Sequence, residues 1–439
     1  MNNFSGLDLV KPLRRAIDAE GYAAPTPIQA QSIPHLLAGR DLLGVAQTGT
    51  GKTAAFVLPM LQRLEASANG SPASGRPRAL VLAPTRELAV QIGDSVRAYG
   101  KFMGLKYVNI FGGAPIGKQI STLNRGVDIV VATPGRLVDL LNQKKLRLSE
   151  VEVFVLDEAD RMLDMGFIND VRKISDLVGS NRQTLLFSAT MPNAVEKLAA
   201  GMLSDPVRIE VAPQSTTAER VQQRVLFVEK QQKRGLLSAI LKDDTISRAL
   251  VFSRTKHGAD KVARYLEKGN VSAGVIHGNK SQNARQKALK GFKNGNLRVL
   301  VATDIAARGI DVDGVTHVIN FDLPQDPETY VHRIGRTARA GADGQAISFC
   351  DLTERDFLFD IEKVTRNTVE VDADHPFHAP EIANAEPSGS KAARKSRNGG
   401  GRNGGGGRPP RASKGGKRFK PGGQKGHRHG QRRGNSRAA

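Results

Sequence analysis

Short apolar runs alternate with amphipathic stretches along most of the chain. Runs rich in Val, Ile and Leu, with little polar alternation, occupy 78–84, 127–133, 151–157, 183–190, 248–254, 297–303 and 316–322. Strands covered on both faces read this way, and strands separated by helical patterns predict an α/β chain with parallel sheets. "DLLGV" (41–45) and "AAFVLPMLQRL" (54–64) read as a further strand and a helix, flanking "AQTGTGKT" (46–53).

The two halves echo one another. "LVLAPTRELA" has its counterpart in "LVFSRTKHGA" about 170 positions later, and "IVVATPGR" pairs with "VLVATDIAARG" at nearly the same offset. A duplicated fold explains two such pairs better than chance. "APQSTTAERVQQ" (212–223) is polar and without apolar periodicity, and reads as the region joining the halves. The expected organisation is a first domain over 1–210, a linker over 211–223, a second domain over 224–375 and a tail over 376–439. At the same offset from the glycine loop the second half reads "TTAERVQQ", so it is expected to lack a phosphate cradle. One nucleotide, held by the first half and completed by the second, is the natural expectation.

Composition narrows the class. With 439 residues, 39% hydrophobic and 25% charged, the chain reads as a soluble globular protein of two or three domains. No apolar run approaches the roughly 18 residues a membrane span needs, and no secretory signal opens the chain, so a cytoplasmic protein without membrane contact is expected. A single cysteine, Cys350, excludes an internal disulfide and sits in the strand-like "AISFC", where a buried structural thiol is expected. The net charge of +22 is concentrated at one end: 381–439 hold sixteen Lys and Arg against two acids, with fifteen glycines and one aromatic, Phe419. Such a segment is expected to be disordered and to seek polyanions; a solubilising tail without a partner is the alternative.

Three stretches carry chemistry. In 46–53, small residues let backbone N–H groups approach phosphate oxygens, Lys52 reaches the β and γ phosphates, and Thr53 offers a hydroxyl to Mg²⁺. The position usually filled by Gly is Ala46, and an ordinary helix-entry turn remains the alternative. In "VFVLDEAD" (153–160), an apolar strand ends in Asp157 and Glu158. The carboxyl end of a parallel strand faces the ligand crevice, which suits Asp157 to the hydration shell of Mg²⁺ and Glu158 to the attacking water. In "YVHRIGRTARAG" (330–341), Arg333, Arg336 and Arg339 recur every three residues, fit to meet charge on a transferring phosphoryl group, or else to make salt bridges.

With "GYAAPTPIQ", "APTRELA", "ATPGR", "SAT" and "ATDIAARGID", these elements resemble the DEAD-box RNA helicase family over about residues 4–365, "DEAD" itself being 157–160. "RTKHGADKVARYL", "IHGNKSQNAR" and "STTAERV" look like the bacterial RhlE-like group. The resemblance implies two tandem RecA-like domains with parallel sheets and a disordered basic tail. It implies ATP and Mg²⁺ as cofactors and RNA, single-stranded or in short duplexes and with little sequence preference, as partner. Phe4, Tyr22, Thr26, Gln29, Thr48, Gly49, Thr50, Gly51, Lys52, Thr53, Gly309 and Asp311 would bind ATP, with Thr53 and Asp157 serving Mg²⁺ largely through water. Lys52, Asp157, Glu158, Arg336 and Arg339 would be catalytic; Asp160, Ser188, Thr190 and His332 would couple the nucleotide to RNA. Pro84, Thr85, Arg86, Gly112, Gly113, Thr133, Gly135, Arg136, Arg254, Thr303 and Asp304 would contact RNA. These are small, hydroxyl-bearing or Arg residues at strand ends, suited to phosphates rather than base stacking. Ala338 replaces the glycine usual before the last motif arginine.

The function expected is an RNA-dependent ATPase that separates short duplexes or remodels RNA–protein complexes, with ribosome assembly and RNA decay as candidate settings. An ATP-independent annealing clamp working through the tail is the alternative from another class, and a DNA helicase of related architecture is a third.

Overall fold

A computed structural model describes residues 3–47, 49–67, 70, 72–211, 221–307, 312, 314–338 and 344–386. Most of the expected tail and most of the expected linker lie outside the described residues.

The first half holds seven strands: β1 (Leu42–Val45), β2 (Ala79–Leu82), β3 (Tyr107–Ile110), β4 (Ile129–Ala132), β5 (Val153–Leu156), β6 (Gln183–Ser188) and β7 (Val207–Glu210). They form one sheet in the order β3-β4-β2-β5-β6-β1-β7, every pairing parallel. The second half repeats the plan with β8 (Val221–Phe227), β9 (Ala249–Phe252), β10 (Ala273–Ile276), β11 (Val299–Ala302), β12 (His317–Asn320), β13 (Gly344–Cys350) and β14 (Glu370–Val371). Its order, β10-β11-β9-β12-β13-β8-β14, is the first order with each strand replaced by its counterpart. The duplication expected from two echoing pairs therefore extends to the whole sheet, and the two pairs are β2 with β9 and β4 with β11.

The unalternating strands follow from burial on both faces. On β2, Ala79 and Val81 enter one apolar core while Leu80 and Leu82 enter the core on the opposite face. On β9, Ala249 and Val251 divide from Leu250 and Phe252 in the same manner. Period-two geometry sends neighbours to opposite faces, and helices cover both. Gly44 of β1 is required by packing: a Cβ there would lie 2.6 Å from the Phe187 ring, which itself packs on Phe56 at 5.5 Å.

The boundaries shift from those expected. β8 begins at Val221, inside the segment read as linker, because Val221 is buried in a core of the second lobe. The folded lobe also continues past 375 into the expected tail. Ile382 is buried, Phe377 lies against Gly235, and the Arg355 guanidinium donates to the Ala385 carbonyl at 2.9 and 3.0 Å. Polar composition hid these two apolar anchors. Cys350 is buried in β13, where desolvation pushes its thiol up to about 12, as a structural cysteine requires. Among the described residues no helix is long and apolar enough to cross a membrane.

Candidate nucleotide and nucleic-acid site

The glycine loop runs from the end of β1 into the helix Lys52–Ala66. Gly49 and Gly51 both take positive φ, +87° and +92°, which only glycine adopts without strain. Gln29 holds the loop and is itself positioned by Thr26. Thr26 and Gln29 form a capping box on the helix Pro27–Leu37, with the Gln29 Oε1 accepting from the Thr26 N–H at 2.9 Å. The Gln29 Nε2 then donates to the Gly51 carbonyl at 3.1 Å. A Cβ on Gly51 would lie 2.5 Å from that amide, so the side chain reaches the loop only because residue 51 is glycine. Lys52 opens the helix, is buried, and donates from Nζ to the Ala46 carbonyl at 2.8 Å.

Asp157 and Glu158 follow β5 at its carboxyl end, with Glu158 in the left-handed region at φ +57°. Both are buried. Burial pushes the Asp157 carboxyl up to about 7, partly offset by the Lys52 charge, and its Oδ1 lacks a hydrogen-bond partner among the described residues. A buried, unsatisfied carboxylate oxygen beside a phosphate loop fits a hydrated divalent cation, and Thr53 is half-buried at the start of the same helix. Glu158 is gripped by the Arg161 guanidinium. Asp160 turns the other way: its Oδ2 accepts from the Ala189 N–H at 3.2 Å and from the Thr190 N–H and hydroxyl at 2.9 Å. Its own N–H donates to Ser188 Oγ at 3.1 Å, and that hydroxyl donates to the Thr190 carbonyl at 2.8 Å. "DEAD" and "SAT" are thus one hydrogen-bonded unit.

An aromatic group closes the first-lobe core, with Tyr22 alone of its three rings exposed. Phe4, buried near the start of the chain, stacks on Tyr22 at 6.5 Å and 26°; Tyr22 meets Tyr99 edge-on at 6.1 Å, their hydroxyls 3.1 Å apart.

Across the cleft, Arg161 of the first lobe lines one cavity with Asp304, His332, Arg333 and Arg336 of the second. His332 has its basicity lowered, by burial first and then by Arg161 and Arg336. Arg333 plays a different part from Arg336. It is 2% exposed, forks onto Asp304 at 2.5 and 2.8 Å, donates to Asn320 and the Asp322 carbonyl, and lies 4.9 Å over Phe252. It builds the lobe, and it occupies the Asp304 carboxylate expected to face RNA. Thr48, Gly309, Asp311 and Arg339 lie outside the described residues.

The expected RNA face gathers strand-end loops. The Arg86 guanidinium covers Gly112 and Gly113; a Cβ on Gly113 would stand 2.2 Å from it. Thr85 follows Pro84 and caps the helix Arg86–Tyr99, while Thr133 starts the helix Pro134–Asn142 that carries Gly135 and Arg136. Arg136 donates to the Ala114 carbonyl at 3.3 Å. In the second lobe Thr303 follows β11 and donates its N–H to the Ile276 carbonyl at 3.4 Å. Arg254 follows β9, contacts Glu354, donates to the Leu323 carbonyl at 3.1 Å and lies 5.3 Å over Phe357.

Sequence reasoning missed several residues that assemble the cleft. Glu87 is buried, accepts from Gln282 Nε2 at 3.0 Å and pairs with Arg285 at 2.9 Å, both from the other lobe. Gln282 and Arg285 lie three apart on one helix, a visible signal, but nothing in the chain ties them to Glu87. Arg161 directly follows "DEAD" and was legible as a charge beside the acids. Tyr99 gave no signal at all.

Residues 26–198 match the DEAD/DEAH box helicase family and 232–341 match the helicase conserved C-terminal domain. The chain is 44% identical over 370 residues to the DEAD-box ATP-dependent RNA helicase CshA of Bacillus cereus, covering 84% of this chain and 69% of that one. The protein belongs to the DEAD-box RNA helicase family. The Streptococcus pneumoniae CshA is 46% identical over 363 residues, 83% of this chain and 68% of that one. Among solved structures, S. cerevisiae Dbp5 bound to RNA and ADP BeF3 is similar with TM-score 0.73 and 33% identity, covering 84% of this chain and 95% of that one. Mss116p bound to ssRNA and AMP-PNP is similar with TM-score 0.74 and 30% identity, covering 86% and 79%. The two sheets are accordingly tandem RecA-like domains.

Proposed function

We propose that this DEAD-box helicase is an RNA-dependent ATPase that separates short duplexes, or strips RNA–protein complexes, by closing its two lobes on ATP and single-stranded RNA. Arg161 carries the reading: it holds the carboxylate suited to orient the attacking water and lines the same cavity as His332 and Arg336 of the other lobe. Hydrolysis then depends on closure, and closure on both ligands, so each ligand tightens the other. Lys52 and the loop amides hold the phosphates; Glu158 positions and deprotonates water; Arg336, with Arg339 by family likeness, meets charge on the transferring group. Asp157 and Thr53 would hold Mg²⁺, which when bound neutralises phosphate charge. The Asp160–Ser188–Thr190 unit carries the nucleotide state toward RNA. Phe4, Tyr22 and Gln29 are the adenine side.

Changing Glu158 to Gln is the test. ATP-driven strand separation should be lost while RNA binding with AMP-PNP persists. Unaltered separation would favour the annealing clamp instead. Within the family we place the chain near the RhlE-like group on the stretches named above, the similar curated relatives being CshA proteins. Cytoplasmic ribosome-assembly or RNA-decay particles are its proposed setting; sequencing RNA crosslinked to the protein in cells separates the two.

A further inference from the structure

From Lys268 to Thr303 the chain has no acidic residue and seven Lys and Arg. This segment contains β10, an edge strand of the second sheet, and the helix Gln282–Lys293, which buries little beyond Gln282 and Phe292. Between them lies a groove of about 530 Å³. Val275, Ala284, Ala288, Gly291 and Leu297 give it an aliphatic floor, and Lys280, Lys287, Lys290, Asn294 and Asn296 complete its lining. Gly291 sits inside the helix, where glycine costs roughly 1 kcal/mol against alanine. A Cβ there would lie 3.2 Å from Leu297, so its absence lets Leu297 lie against the helix. Lys287 and Lys290 are exposed on the rim and form no ion pair among the described residues, whereas Lys280 is held by Asp260 at 2.9 Å.

We infer that this groove docks an acidic amphipathic helix of a partner protein, its aliphatic face on the floor and its carboxylates against Lys287 and Lys290. Charge complementarity gives the sign of the occupant. The floor chooses between two polyanions. RNA gripped without sequence preference needs phosphate contacts and aromatic faces for its bases. This lining has no aromatic side chain, and between its lysines and asparagines it offers aliphatic carbon, which a Leu or Ile face fills and a ribose-phosphate chain does not. None of the groove's lining residues is among those assigned to ATP or RNA, although its helix begins with the Gln282 and Arg285 that meet Glu87.

The test uses the full-length protein and a fluorescein-labelled 16-residue peptide with Leu along one helical face and Glu elsewhere, read by anisotropy. The wild type should bind it. Lys287→Glu with Lys290→Glu, and separately Ala284→Glu, should each weaken binding about tenfold or more by placing like charge at the site, with RNA-stimulated ATPase unchanged. A peptide with Leu replaced by Ser should not bind, and oligo(U) with AMP-PNP should not displace the original. Absence of binding to the wild type overturns the inference. So does equal binding by the variants or by the Ser peptide, which marks nonspecific charge attraction. Displacement by oligo(U) together with loss of RNA affinity in the groove variants assigns the groove to RNA and overturns it as well.

Discussion

Glu87 is one residue from Arg86, which is proposed to face RNA, yet its carboxylate points across the cleft to Gln282 and Arg285. Replacing it with Gln keeps the size and leaves an acceptor for Gln282, but removes the charge that Arg285 meets at 2.9 Å. The side chains are only 7% and 11% exposed, so water screens the pair poorly. A hydrogen bond to a charged group contributes about 1.5–3 kcal/mol, which places Glu87→Gln near 2 kcal/mol, or roughly a thirtyfold loss in the equilibrium that brings the lobes together. Arg285 already depresses the basicity of Arg86, behind burial as the larger cause, so its release from Glu87 adds repulsion at the proposed RNA face. The assay is ATPase rate against RNA concentration. The RNA needed for half-maximal stimulation should rise about thirtyfold, while thermal unfolding stays put because the pair joins lobes rather than building either. Arg285→Gln should match Glu87→Gln, and the double change should cost little more than one. Additive single effects, or a Glu87→Gln enzyme with wild-type RNA dependence, would refute the reasoning.

Three further outcomes follow from the same geometry. His332 has a lowered value in the assembled cleft, so neutral imidazole favours closure: RNA affinity with AMP-PNP should be level above its ordinary 6.5 and fall as pH drops below it, and His332→Gln should flatten that profile. His332 is exposed, which keeps the effect modest. Tyr99→Phe removes the hydroxyl 3.1 Å from that of Tyr22 and should raise KM for ATP about fivefold, one hydrogen bond's worth, with kcat unmoved; an altered kcat alone would contradict a positioning role. Truncation after 386 should leave unfolding unchanged and weaken RNA binding at low salt, the deficit shrinking as salt rises, whereas truncation after 380 also exposes the pocket of buried Ile382 and should cost about 2–3 kcal/mol of stability.

Much of this was legible because parallel strands and phosphate chemistry leave local marks. Unbroken Val/Ile/Leu runs announced seven of the fourteen strands, and β13 showed in "AISFC". Short strands with few apolar residues did not announce themselves: β7 and β14 sit at sheet edges, half or fully exposed, so burial never selected their composition. The glycine loop and the carboxylates after β5 were visible because their chemistry depends on neighbouring residues. The cleft was not, since Glu87 with Arg285, or Arg161 with His332, are encoded far apart and neither pairing has a spacing to read. Arg333 shows the converse: a correct pattern of three arginines, of which burial turns one into scaffold.

The duplication also locates what the second lobe lost. The offset of about 170 that relates β2 to β9 does not hold at β1, whose counterpart in the sheet is β8; the stretch matching the glycine loop is therefore 228–232, not the "TTAERVQQ" at 216–223. Both helices after these strands begin with lysine, Lys52 in the first lobe and Lys233 in the second. Lys52 has a carbonyl for partner and a ligand cleft beside it. Lys233 is 1% exposed and meets Glu354 at 2.5 Å, Asp351 at 3.1 Å and Asp322 at 3.9 Å. Burial would lower its basicity, but the three carboxylates override that and raise it. A buried ammonium is tolerable only when paired, and here the chain's own acids make the pair. A triphosphate at this position would have to displace them and leave them buried and uncompensated, at a cost of several kcal/mol for each charge. The second lobe is thus neutralised from within where the first awaits phosphate, which is the physical reason that two copies of one fold should hold a single nucleotide between them.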